Sequence, residues 1–407
     1  MSVLNKVSKR IVYMDNAATT MLRPEVFAHM EPFFAGEYAN PASYCSFAHE
    51  ALASMSAARA RTATALGAAK PDEIYFTGSG TEADNWAVRG VAEANLDKGK
   101  HIITTAFEHH AVLETCKYLE KHHGYDITYL RPDGYGIIGA EQVGRAMRGD
   151  TVLISVIFAN NEIGTMQPIA EIGALARDAG VVFHTDAVQA AAHVPICVES
   201  MNIDLLSISA HKFYGPKGVG ALYVKKGTRI APLFYGGSQE GRKRAGSHNV
   251  PGIVGLGLAL ELGVSDMEAE DVRLGELRRR LVSGILDKVP HARLNGCPDR
   301  RLPGIVNMSF RFVESEAVLD HFNFHGICAS SGSACNTDSH EPSHVLSAIG
   351  LSHEDANGTI RFSLGRHNTE EDVDYVLAHL PGIIDKLRHM SPTFADFSNA
   401  GFSNREG

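Results

Sequence analysis

Lys212 sits in Ser209-Ala210-His211-Lys212-Phe213-Tyr214-Gly215-Pro216-Lys217-Gly218, just past a strand-like run. Asp186 ends an earlier run, Val181-Val182-Phe183-His184-Thr185-Asp186. An amine and a carboxylate at the ends of successive strands can face one bound group from two sides. Pyridoxal 5'-phosphate (PLP) needs that pair: a lysine for a Schiff base and a carboxylate to keep the pyridine nitrogen protonated. The pair predicts carbon–heteroatom chemistry on an amino acid. Lys217 competes with Lys212, which also reads as a surface lysine beside a Gly-Pro turn. Ser209 and His211 favour Lys212, because they can supply phosphate and orienting contacts.

Other residues fall at comparable places. Thr77-Gly78-Ser79-Gly80-Thr81-Glu82 follows a strand and opens a helix. Glycines there let a phosphate approach the unpaired N–H groups of the helix N-terminus. The competing reading is a plain strand-to-helix turn capped by Thr81, and no Gly-Lys-Ser/Thr follows to make a Walker loop. Gln189 lies one helical turn beyond Asp186 and can reach the phenolic oxygen. Asn161 follows a buried strand, and His109 ends another, where its ring can stack on a cofactor. Taken singly, each also reads as a cap or a satisfied polar residue; it is their coincidence at successive strand ends that argues for a site.

The reaction type turns on Ser330-Ser331-Gly332-Ser333-Ala334-Cys335. Small residues around one thiol make an exposed platform for a mobile nucleophile. An inert loop cysteine is the alternative. Cys328, inside the preceding apolar run, is expected to be buried. Arg361 lies within the apolar run 359–364 and wants a carboxylate there. A substrate carboxylate and a protein acid are both candidates.

Strand-like and helical stretches alternate in a way that positions these residues. Strands are predicted at 74–77, 101–105, 126–130, 151–158, 181–185 and 204–209, with helices at 81–94, 111–123, 140–147 and 169–179 between them. That order predicts a mostly parallel sheet covered on both faces. The short, Gly-rich step to 219–224 suits one antiparallel return. A long amphipathic helix is expected over 266–289, followed by a smaller α+β domain ending in a helix at 370–390.

Length and composition bound the class. The 407 residues are 44% hydrophobic and 21% charged, the values of a globular chain with a large core and a satellite. A net charge of -9 argues against direct nucleic-acid binding. No run reads as a membrane span or a secretory signal. Six scattered cysteines suggest free thiols in the cytoplasm. A metal or redox protein built on His109, His110 and Cys116 is a rival reading, but their spacing matches no strong metal motif, so no metal site is expected.

Several motifs together resemble one family. They are His184-Thr185-Asp186-Ala187-Val188-Gln189, Ser209-Ala210-His211-Lys212, Asn160-Asn161-Glu162-Ile163-Gly164 and the Cys335 loop. With Met14-Asp15-Asn16-Ala17-Ala18-Thr19-Thr20, the chain is similar to the cysteine desulfurases of the NifS/IscS type, within the class V aminotransferases. The resemblance implies the PLP-dependent transferase fold type I. It implies a large PLP-binding domain over 15–263 with a mostly parallel seven-stranded sheet. A smaller α+β domain over 1–14 and 264–390 would carry the cysteine loop at about 328–340, with 391–407 as a tail. It also implies a homodimer that converts L-cysteine to L-alanine and leaves the sulfur as a persulfide on Cys335. That sulfur would pass to an acceptor protein such as an Fe–S scaffold or a tRNA-thiolation protein. Selenocysteine lyase or another PLP-dependent beta-eliminase is the alternative.

By the same resemblance, Lys212 is the Schiff-base lysine, with Gly80, Thr81, Ser209 and His211 on the phosphate side. Ser247 would reach the neighbouring subunit's phosphate. Asn161, Asp186 and Gln189 hold the ring, Asn161 also facing the substrate. His109 covers the ring, and Arg361 takes the substrate carboxylate; His109 is in addition the candidate proton acceptor of the reaction. The chain departs from the family pattern at Gly78-Ser79-Gly80-Thr81, at Ala210, at Ala245 and Ser247, and at Tyr44-Cys45-Ser46-Phe47, which displaces His49.

Overall fold

The computed structural model describes residues 10–331, 342–392 and 394. The chain forms two compact units. The larger comprises Ala18–Asn161 and Thr165–Glu270; the smaller comprises the described residues within Met1–Ala17, Glu162–Gly164 and Asp271–Gly407.

The larger unit is built on a seven-stranded sheet. Its strands are β1 (Ile74–Thr77), β2 (His101–Thr105), β3 (Asp126–Leu130), β4 (Thr151–Ser155), β5 (Val182–Asp186), β6 (Leu205–Ser209) and β7 (Gly220–Val224). They lie in the order β1-β7-β6-β5-β4-β2-β3. All run parallel except β7, which is antiparallel to both of its neighbours. The expected antiparallel return is therefore present. Strands β2, β4, β6 and β7 are buried along their whole length, so they read as apolar runs rather than alternating ones. Helix α1 (His49–Leu66) precedes the sheet, and α2 (Gly80–Ala94), α3 (His110–His123), α4 (Ala140–Ala146) and α5 (Ile169–Ala179) connect its strands. Helix α2 packs Ala83, Trp86, Ala87, Val88 and Val91 against Leu153, Leu205 and Leu222 of the strands. At about 1.5–3 kcal/mol per large apolar side chain, this contact anchors the Gly-rich turn that begins α2.

Helix α6 starts at Val250 rather than near 266 and runs to Lys288. Its first turns carry Val250, Ile253, Val254, Leu256, Ala259 and Leu260, all buried. A helix apolar around most of its girth shows no amphipathic period, which hides its start. It also contains an 18-residue window apolar enough by length and composition to cross a bilayer, contrary to the expectation of no such run; half of that window is buried inside the fold.

The smaller unit holds a four-stranded antiparallel sheet. Its strands, β8 (Ala292–Leu294), β9 (Ile305–Phe310), β10 (Ser330–Ser331) and β11 (Thr359–Ser363), lie in the order β10-β11-β9-β8. Leu277, Leu281 and Ile285 of α6 and Val376, Leu380 and Ile383 of α7 (Glu370–His389) share one core with Val306, Met308, Ile360 and Phe362. The fold is thus the expected one, a large α/β layer structure with a smaller α+β unit.

Candidate active site

In an open parallel sheet, the carboxyl ends of the strands leave N–H groups and side chains facing a common crevice. Asp186 is the last residue of β5, and Ser209 the last of β6. Lys212 closes a single 3-10 turn, Ala210–Lys212, right after β6. His109 caps α3 just past β2, its Nδ1 accepting from the Ala111 N–H at 3.1 Å. That bond leaves Nε2 as the nitrogen that can meet a ligand.

These side chains converge. Ligand-type atoms of Asp186, His109 and Asp84 all lie within 4.8 Å of one another. Burial, the Lys212 charge and His110 together depress His109 to about 4. At neutral pH its imidazole is therefore uncharged and fit to accept a proton or to stack. Asp186 is 4% exposed and accepts from the Val188 N–H at 2.9 Å. Burial pushes its carboxyl up, while that N–H and the Lys212 charge hold it down. The Lys212 amine thus acts on both groups. Its Nζ donates to the Ala18 carbonyl at 2.8 Å. Lys217 is exposed, whereas Lys212 is half-buried.

The Lys212 turn is strapped from outside by Thr19 and Thr20. The Thr20 Oγ1 donates to the His211 carbonyl at 2.9 Å and accepts from the Tyr214 N–H at 2.8 Å. His211 Nδ1 lies 3.1 Å from Thr19 Oγ1. Burial, then Lys212 and Lys217, lower His211 to about 4.

The turn expected to receive the phosphate lies at the start of α2. Ser79, not Thr81, is its cap: the Ser79 hydroxyl accepts from the Glu82 N–H at 3.1 Å. Thr81 is exposed and takes no part in the cap. A Cβ at Gly80 would come within 2.7 Å of Val188 Cγ2 and 3.2 Å of Ser209 Cβ, so the glycine lets the loop close onto Ser209. Gly220 on β7 does the same from the other side, where a Cβ would meet the Ser79 carbonyl carbon at 2.6 Å. Glu82 ties this turn to the loop that carries Ser247. It accepts from Gly78 N–H at 2.9 Å and pairs with Arg244 at 2.7 Å. Ser247 itself is exposed. Gln189 is buried and Asn161 half-buried in the turns after β5 and β4.

Of the residues expected in the site, Gly80, His109, Asp186, Ser209, His211 and Lys212 are brought together at one sheet edge. In the smaller unit, Arg361 stands in β11, 4% exposed, with its Nη2 2.8 Å from Asp15 Oδ1. A protein acid, Asp15, thus pairs with Arg361 through Nη2. Removing one partner of a buried, charge-assisted pair costs about 1–3 kcal/mol. Asp15→Asn is accordingly expected to lower the urea midpoint, and an unchanged midpoint would show that the pair does not hold the fold. Cys328 is half-buried rather than buried, its thiol pushed up by burial and by Asp15. Two residues carry no site signal in the sequence, Asp84 and Glu108, both fully buried acids beside Asp186. Cys116 is buried in the core with its thiol pushed up by burial, which argues against it as a ligand in the rival metal reading. Cys335 lies outside the described residues.

The chain belongs to the aminotransferase class-V family, whose model matches residues 12–376. It is 54% identical over 383 residues to "Cysteine desulfurase IscS" of Methanosarcina thermophila, covering 94% of each chain. The solved structure of a "NifS-like protein" superposes with a TM-score of 0.87 at 37% identity, over 92% of this chain and all (100%) of that one. "SspA in complex with cysteine" gives a TM-score of 0.78 at 40% identity, over 88% of this chain and 99% of that one.

Proposed function

We propose that this protein is a cysteine desulfurase that uses PLP to convert L-cysteine to L-alanine, leaving the sulfur on Cys335. The observation that carries this reading is the convergence of His109 and Asp186 at one sheet edge, with Lys212 in the turn that follows the neighbouring strand. The 54% identity to a relative of that name, across nearly the whole chain, supports it.

The residues present fit the cofactor. Glycines at 80 and 220 let the turn close onto Ser209, and the N–H groups that open α2 there could meet a phosphate. Ser209, Thr81 and His211 offer polar atoms on that side. Asp186 offers a carboxylate to the pyridine nitrogen, and His109 a ring to stack on. When bound, PLP supplies an electron sink that labilises bonds at the substrate's alpha carbon.

The chain's own residues then divide the work. Lys212 Nζ anchors the cofactor and, released by substrate, moves the alpha proton. His109 is neutral at working pH and accepts a proton at Nε2 from the thiol that reacts. Arg361 keeps Asp15 on Nη2 and would share the rest of its guanidinium with the substrate carboxylate, and Asn161 faces the substrate. The Cys335 thiolate attacks the substrate sulfur: its S–S bond forms as the substrate C–S bond breaks, the electron pair stays with the carbon, and a proton completes alanine. Atoms balance as cysteine plus enzyme thiol giving alanine plus enzyme persulfide.

The protein, in this proposal, acts as a homodimer in the cytoplasm, with Ser247 exposed so that it can reach a second copy. The persulfide serves an acceptor such as an Fe–S scaffold. A selenocysteine lyase is the second reading. Measuring alanine from cysteine, selenocysteine and cysteine sulfinate, with and without Cys335, decides between them. Desulfurase activity predicts that cysteine turnover depends on Cys335. Turnover of selenocysteine alone, indifferent to Cys335, would overturn it.

A further inference from the structure

Asp84 sits near the start of α2 with its side chain sealed in, 1% exposed. One of its oxygens and one of Asp186 lie within 4.8 Å, together with a ring nitrogen of His109. Its Oδ1 has no hydrogen-bond partner, although it is buried. The nearest cationic candidate is His184 on β5, with Nε2 3.7 Å from Oδ1. But His184 is already engaged, Nδ1 with Ser155 Oγ at 2.8 Å and Nε2 with Ser207 Oγ at 3.0 Å. It is fully buried, and burial lowers it to about 3, so it brings no charge to Asp84. Glu108, also fully buried, accepts from Thr105 Oγ1 at 2.7 Å and from the Ile157 N–H at 2.9 Å. Asp84 thus faces two acids, Asp186 and Glu108, and two uncharged histidines, His184 and His109. The charge of Lys212 acts on Asp186.

Two carboxylates this close and this buried disfavour each other's charged form. Lys212 and the Val188 N–H favour the charge on Asp186. We propose that Asp84 is a positioning residue that keeps its proton in the working protein, leaving a single carboxylate charge, on Asp186, to face the site. Burial first, then the Asp186 charge, push the Asp84 carboxyl well above the usual carboxylate range, against a smaller pull from a Ser207 hydrogen bond. This inference rests on the PLP reading only for what Asp186 meets; the protonation of Asp84 belongs to the protein without cofactor.

Infrared difference spectroscopy on the cofactor-free protein tests that protonation. At neutral pH it is expected to show protonated carboxyl bands, one lost in Asp84→Asn. Glu108, pushed up to about 8 mainly by burial, supplies a second band that Glu108→Gln identifies. Asp186→Asn keeps the Asp84 band. Stability gives an independent sign. Unfolded, Asp84 loses its proton near 3.8, whereas folded it holds it to higher pH. Wild type therefore loses stability relative to Asp84→Asn as pH rises above that value. A difference of the opposite sign, or a set of protonated-carboxyl bands unchanged in Asp84→Asn, overturns the protonation.

The positioning role has its own readout. Asp84→Ala is expected to weaken PLP retention about tenfold, by titration of the cofactor-free protein, and Asp84→Asn to restore most of it. If asparagine is as poor as alanine, the neutral group is not what Asp186 needs and the positioning role fails. Should PLP bind neither wild type nor variants while the infrared result holds, the functional reading fails instead. If Asp84→Asn does not fold, the pH titration of the wild-type bands and their survival in Asp186→Asn decide the same question.

Discussion

Lys212→Ala is expected to abolish measurable alanine formation and to leave no PLP covalently attached after borohydride reduction. Two roles are lost at once. The amine that anchors the cofactor disappears, and so does the base that moves the alpha proton; proton transfer by a placed side chain alone is worth about 10²–10⁴-fold. The structure adds a reason to expect no rescue from nearby. Lys217 is exposed, beyond the turn that Thr20 straps in place. The same substitution removes the cation that lowers His109 after burial does, so the His109 midpoint should rise in the variant. Wild-type turnover in Lys212→Ala, or attachment at Lys217, would refute the assignment.

Cys335→Ser is expected to give the second-largest loss. Cysteine should still bind, because Arg361, His109 and Lys212 are untouched. Alanine production from cysteine should fall by at least about 10²-fold, since a serine hydroxyl is a far weaker nucleophile toward sulfur than a thiolate. The variant separates binding from sulfur transfer. A spectral change on adding cysteine with no turnover is the expected signature. Unchanged turnover would remove Cys335 from the reaction.

Much of this architecture is legible from residue patterns, for identifiable reasons. Runs 74–77, 101–105 and 126–130 coincide with β1, β2 and β3, because short apolar-rich runs bounded by turn residues are how strands read. The run 151–158 is largely apolar, yet β4 ends at Ser155. Beyond it, the Ile157 N–H turns to the Glu108 carboxylate instead of a strand. No local pattern reveals that a glutamate from another loop will take that bond. Asp186, Lys212 and His109 are identifiable because each ends a strand-like run, and strand ends in such sheets meet. Asp84 is not, because an acid near the start of a helix is ordinarily a solvated partner of the helix dipole. Only the packing of α2 onto the sheet buries it. Thr19 and Thr20 belong to a recognisable motif, but their role as a strap needs the chain to return 192 residues later in the fold.

Mass spectrometry of the intact protein after L-cysteine is added is the decisive experiment. Cysteine desulfurase activity through Cys335 predicts one added sulfur on the chain, mapped by peptide analysis to Cys335 and removed by a thiol reductant. Sulfur found on Cys45 or Cys328 instead, or none while alanine accumulates, would contradict it.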